Sequence, residues 1–95
     1  MERRRNERKA LTGPVQLESG LPESGWPAPG RIEVAGIDLS LGGLGIQTNI
    51  LLEESAVVRA LIPVSGCQVS VPALAQVVWV SSGRQPFRVG LRFLV

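Results

Sequence analysis

Apolar and polar residues alternate in short stretches along most of this chain, which is the period of half-buried β-strands. The last stretch is the clearest: Phe87, Val89, Leu91 and Phe93 face one way, and Arg88, Gly90 and Arg92 the other. Val15-Gln16-Leu17 alternates in the same manner, as does Ile32 to Ile37, with Ile32 and Val34 on one face. Val57 to Ile62 reads as a further strand closed by Pro63. Val69 to Val71 and Ala73 to Val80 follow, with Pro72 predicting an edge or a bulge between them. Hardly any segment carries a helical period.

Glycine and proline punctuate these strands. Residues 18–30 hold three Pro and three Gly and read as a loop, with Trp26 inside it expected to fold back on the body of the protein. Asp38-Leu-Ser-Leu-Gly-Gly-Leu-Gly45 has three glycines in four residues, predicting a tight turn whose backbone takes conformations closed to other residues. Ser81 to Pro86 predicts another turn. Six or so short strands joined by such turns predict an all-β fold, a small antiparallel barrel or sandwich; closure also removes edges that a chain rich in Val, Ile and Leu would otherwise expose.

Composition narrows the chemistry. Ninety-five residues suffice for one small core, and 44% hydrophobic with 19% charged residues lies in the globular range. No apolar run approaches the roughly 18 residues of a membrane span, and the Met-Glu-Arg-Arg-Arg start lacks the apolar stretch of a secretory signal. A lone Cys67 leaves no internal disulfide and fits a reducing cytoplasm, which is the expected location. Without histidine and with one cysteine, neither a His/Cys zinc site nor a Ser-His-Asp or Cys-His nucleophile can be built. Glu53 and Glu54 are the only adjacent acids, and neighbours on a strand point to opposite faces. The expectation is a non-enzyme without metal or cofactor.

The charge is unevenly placed. Residues 1–9 carry five basic groups, Arg3, Arg4, Arg5, Arg8 and Lys9, against two acids, a net +3. Residues 10–95 carry five arginines against six acids, a net −1. The reading is therefore a basic arm over 1–9 on a nearly neutral barrel domain over 10–95. Such an arm is either a solvated tail or a phosphate-seeking clamp.

Arg4-x-x-x-Arg8, followed after 29 residues by Asp38-x-Ser40-x-x-Gly43, resembles the two-part signature of PilZ domains. Val77-Val-Trp79 and Phe87 to Phe93 are similar to the last two barrel strands of that family, so the resemblance runs from about Arg3 to Val95. It implies a six-stranded barrel that captures the second messenger cyclic di-GMP between a flexible N-terminal arm and the barrel surface, and so regulates a downstream protein partner in motility, exopolysaccharide secretion or another surface behaviour. The implied ligand-binding residues are Arg3, Arg4, Arg8, Asp38, Ser40 and Gly43, with Arg5, Gly42 and Trp79 as secondary contacts. An arginine at position 3 resembles the pattern of domains that hold an intercalated pair of ligands.

The chemistry suits these residues. A planar guanidinium bonds phosphate or the guanine O6/N7 edge with two parallel bonds and stacks on a base. Asp38 and Ser40, two apart on a strand end, leave the same face; the carboxylate accepts from guanine N1–H and N2–H. Gly43 is expected to supply an unusual φ and a close approach, and Gly42 and Gly45 to share that role. Each has a plainer reading. Asp38 and Ser40 also cap turns, Trp79 also fits the core or a partly exposed barrel surface, and Arg88 and Arg92 fit solvated outward positions.

Two departures stand out: many members continue into a C-terminal helix, whereas this sequence stops at Val95, and the 18–30 loop exceeds a simple hairpin. Two rival readings stay open. One is a PilZ-like adaptor that works through protein contacts without ligand. The other is a nucleic-acid-binding barrel, disfavoured because aromatic residues are few.

Overall fold

The computed structural model describes residues 9–11, 13–19, 30–64, 66, 68–81 and 83–94. Seven strands follow in chain order: β1 Lys9–Ala10, β2 Pro14–Ser19, β3 Arg31–Leu39, β4 Gly43–Thr48, β5 Val57–Pro63, β6 Ser70–Val80 and β7 Phe87–Phe93. No helix is present among the described residues, hence none long and apolar enough to cross a membrane.

All pairings are antiparallel, in the order β1-β3-β2-β5-β6-β7-β4, and a further β3–β4 pairing closes β2 to β7 into the expected six-stranded barrel. The two-residue β1 is an addition that continues the line of β2 along β3, with Lys9 opposite Leu39 and Ala10 opposite Asp38. Leu11 N–H donates to the Ile37 carbonyl at 2.9 Å and Gly36 N–H to the Gly13 carbonyl at 3.2 Å, bridging the break between β1 and β2. Lys9, grouped with the arm by charge, thus already lies in the sheet.

The alternation read from sequence is the alternation that fills the barrel. Val15 and Leu17 of β2, Val34 of β3, Leu44 and Ile46 of β4, Val58 and Ala60 of β5, Ala75 and Val77 of β6, and Val89 and Leu91 of β7 are all buried. Cross-strand partners such as Val15–Val34, Ile46–Val89 and Leu44–Leu91 stack on the inner face, where directly opposed side chains touch. Phe87 and Phe93 pack at the rim, half-buried.

Pro72 does not divide two strands. β6 is one eleven-residue strand, with Pro72 opposite Leu61 of β5. The missing N–H is tolerated because Ser70 to Ala73 extend past the β7 pairing and have β5 as their sheet neighbour. Of the edge or bulge predicted there, the structure shows the edge; bulges lie instead between Val77 and Trp79 and between Gly36 and Asp38 of β3.

On the outer face, Glu18 of β2 stands opposite both Arg31 of β3 and Arg59 of β5. Arg31 Nε donates to Glu18 Oε2 at 2.9 Å, and Arg59 Nε lies 3.1 Å from Oε1. The hydrogen bond from Arg31, aided by the positive charge of Arg31 and Arg59, holds the Glu18 carboxyl below its ordinary value of 4.5. A folded-state pKa lowered in this way contributes stability that is present above the unfolded value and lost as pH falls through the folded one. Thermal melts of Glu18→Gln and the parent chain should therefore differ most near neutrality and converge in acid below the glutamate range. A gap that stays constant from pH 7 to pH 3 (roughly two units either side of ordinary carboxyl titration) would contradict this role.

Candidate functional site

The two bulges decide what faces outward at one end of the barrel. In β3, Val34 and Gly36 point inward, so strict alternation would aim Asp38 into the core. The extra residue Ile37 reverses the phase: Gly36 pairs with Ile46, but Asp38 pairs with Gly45, an outward position of β4. In β6, Ala75 and Val77 point inward and would carry Trp79 with them. The extra residue Val78 again reverses the phase, and Trp79 pairs with Gly90 on the outside of β7. Trp79 is 48% exposed, which removes the core reading of this indole.

Gly45 and Gly90 are themselves opposite each other, so one lateral row crosses five strands: Ala10, Asp38, Gly45, Gly90, Trp79. The glycines form its floor. A Cβ on Gly45 would come within 2.7 Å of Asp38 Oδ1, so the carboxylate lies down over β4. A Cβ on Gly90 would collide with the indole, whose Cδ1 would be 2.8 Å away and whose Nε1 and Cε2 would be nearer still. Trp79 therefore covers Gly90. Interior strand glycines weaken a sheet, and here they make room for the side chains of Asp38 and Trp79.

The result is a cleft of about 550 Å³ walled by Asp38 and Trp79, with the Ser40–Gly43 turn at one end. Arg92 stands opposite Gly43 at that end, where its Nη2 donates to Gln76 Oε1 at 2.9 Å. Arg88, opposite Gln47, stands at the other. Both arginines line the cleft. The sequence reading put them outward and solvated, and both are exposed; that they share a cleft was not legible, because alternation reports a face and not what shares it.

Asp38, Ser40, Gly42, Gly43 and Trp79 are thus brought together on one cleft. Arg3, Arg4, Arg5 and Arg8 lie outside the described residues, as does Trp26. Ser40 also shapes the turn: its N–H donates to the Gly43 carbonyl at 3.0 Å, and its Oγ accepts from Gly42 N–H at 3.3 Å.

The expectation of an unusual φ at Gly43 is not met. The described glycines with positive φ are Gly13, Gly30, Gly66 and Gly83, so Gly42, Gly43 and Gly45 adopt ordinary backbone conformations, and Gly43 and Gly45 lie within β4 rather than in a turn. Gly43 is required for a different reason: a Cβ there would strike the Leu91 carbonyl oxygen of β7. Among the described residues no group of His, Cys, Asp or Glu is placed to hold a metal ion.

This architecture has solved counterparts. The structure of YcgR from Escherichia coli in complex with c-di-GMP superimposes with a TM-score of 0.64 at 23% identity, over 99% of this chain and 39% of that one. The PilZ domain of the same Escherichia coli protein with c-di-GMP gives 0.63 at 22% identity, over 98% of this chain and 79% of that one. The chain thus spans well under half the length of the first. At these identities the likeness is one of fold. No curated protein matches the sequence. The sequence does match the model of the PilZ domain over residues 2–95, nearly its whole length, and on that match, with the barrel and the Asp38-x-Ser40-x-x-Gly43 turn in place, the chain belongs to the PilZ domain family.

Proposed function

We propose that this domain is a cytoplasmic cyclic di-GMP receptor that traps its ligand between the N-terminal arginines and the cleft, and passes the change to a protein partner. One observation carries the reading: the chain joins the barrel beside the cleft, with Ala10 paired to Asp38, which lines it. An extended chain spans at most about 3.6 Å per residue, so Arg8 is one residue and Arg4 about 18 Å of chain from the rim. The arm is tethered where its charge would be used.

In this reading Arg4 and Arg8 grip phosphate and guanine edges, Asp38 accepts from guanine N1–H and N2–H, and Ser40 bonds the same region. Gly43, with Gly42, keeps the turn low enough for the ligand to approach the backbone. Trp79 offers its outer face to a base. Arg3 and Arg5 supply further cationic groups, Arg3 toward a second, intercalated ligand. Neutralised by phosphate, the arm lies across the cleft and forms a composite surface with the Ser40–Gly43 turn, which is what the partner reads.

Calorimetric titration with cyclic di-GMP tests this. Saturable binding is expected, with affinity falling steadily as salt rises from about 0.1 M toward 1 M, where the screening length shrinks from about 10 Å to about 3 Å. Absence of binding at any salt concentration would leave the ligand-independent adaptor as the surviving reading.

A further inference from the structure

The cleft is longer than the turn-and-arm site needs. Its far end is built from β7, and it carries a cation that the motif residues leave unused. Arg88 is exposed and lines the cleft. Its backbone is fixed in both directions: Arg88 N–H donates to Ser81 Oγ at 2.8 Å, and Ser81 N–H donates to the Arg88 carbonyl at 2.8 Å. The preceding loop is tied down by Gln85 Nε2, which donates to the Asn49 carbonyl at 2.9 Å. Arg31 and Arg59 are paired with Glu18, and Arg92 is bonded to Gln76. The Arg88 guanidinium makes no such bond among the described residues, although its backbone is as well anchored as theirs.

We infer that Arg88 is a specificity residue that reads the O6/N7 edge of the guanine stacked on Trp79. The inference rests on the cyclic di-GMP reading above. Arg88 lies two residues from Gly90 on the same outward face, about 7 Å along the strand at about 3.4 Å per residue. Trp79 covers Gly90, so a base on the outer face of that indole has its edge within reach of the arginine side chain. Guanine presents two acceptors on that edge, which suit a two-pronged donor, whereas adenine replaces one acceptor by an amino donor. A guanidinium there rewards guanine and opposes adenine; a phosphate contact from the same residue would be blind to the base.

The test is titration of the parent chain, Arg88→Ala and Arg88→Lys with cyclic di-GMP, with cyclic di-AMP as competitor. The expected result is a loss of about ten-fold or more in cyclic di-GMP affinity for Arg88→Ala, the scale of one charge-assisted contact. Little recovery is expected in Arg88→Lys, because an ammonium lacks the planar fork. The preference over cyclic di-AMP should narrow in both variants. Parental affinity in Arg88→Ala overturns the inference, as does full rescue by Arg88→Lys with the base preference unchanged, which marks a phosphate contact. A parent chain that binds no cyclic di-GMP removes the receptor reading itself, a failure distinct from either. Unchanged melting temperatures show that the comparison is between folded proteins, since Arg88 is exposed and its backbone bonds to Ser81 survive both substitutions.

Discussion

Alanine at Arg8 or at Arg4 is expected to cut cyclic di-GMP binding by roughly ten- to hundred-fold while leaving the barrel folded. A charge-assisted hydrogen bond contributes about 1.5–3 kcal/mol, and each of these side chains is proposed to make its bonds to the ligand alone. Among the described residues the sheet ladders begin at Lys9 and the buried core begins at Val15, so neither substitution falls on a described ladder or core position. Calorimetry should show the loss, and thermal melting should show no change. Parental affinity in both variants would mean that the arm is not the clamp, whatever the cleft binds. The same pair also separates a clamp from a solvated tail, because a tail would alter the salt dependence slightly and the affinity hardly at all.

Alanine at Gly43 should have the opposite signature, a large loss of stability. Replacing glycine by alanine where the backbone is ordinary normally stabilises a chain by about 0.4–1 kcal/mol through the unfolded state. At Gly43 that gain is outweighed, because the new methyl would strike the Leu91 carbonyl of β7, which is backbone and cannot rotate away. The β4–β7 pairing also places Leu44 against Leu91 in the core, so the seam cannot open without disturbing buried side chains. Overpacking of this kind costs about 1–3 kcal/mol. For a domain of this size that lowers the melting temperature by about 4–8 °C per kcal/mol. Gly90→Ala is the control: its methyl meets the Trp79 indole, a side chain that can swing outward, so stability should fall less and Trp79 fluorescence should shift. Equal melting temperatures for Gly43→Ala and the parent would show that the strands have room to part.

These two glycines show how unevenly the site could be read in advance. Gly43 belongs to a recognisable motif, but its reason for being glycine lies in β7, 48 positions along the chain at Leu91. No local rule for turns could have supplied that reason, and the turn rule gave the wrong one. Gly90 lies outside the two short motifs; it appears in the alternation of the last strand as a gap between Arg88 and Arg92. Its neighbour across the sheet makes it the floor of a cleft. Trp79 is the clearest case. Its spacing from Ala75 and Val77 argues for the core, and the bulge at Val78, a property of the register between β6 and β7, turns it to the surface. Pro72 shows the converse: a residue that ordinarily divides strands is absorbed where β6 outruns β7.

Period-two patterning, glycine and proline placement and the uneven charge determined, without coordinates, that the chain forms short strands with known inner faces in a small barrel or sandwich and carries its positive charge ahead of it. Those are local properties, set by how consecutive side chains alternate and which residues break a strand. Tertiary structure alone decided that Asp38, Gly45, Gly90 and Trp79 stand in one row, that the chain enters beside them, and that Arg88 closes the far end. Lateral neighbours in a sheet are about 4.8 Å apart whatever their separation in sequence, and two single-residue bulges set which of them share a face.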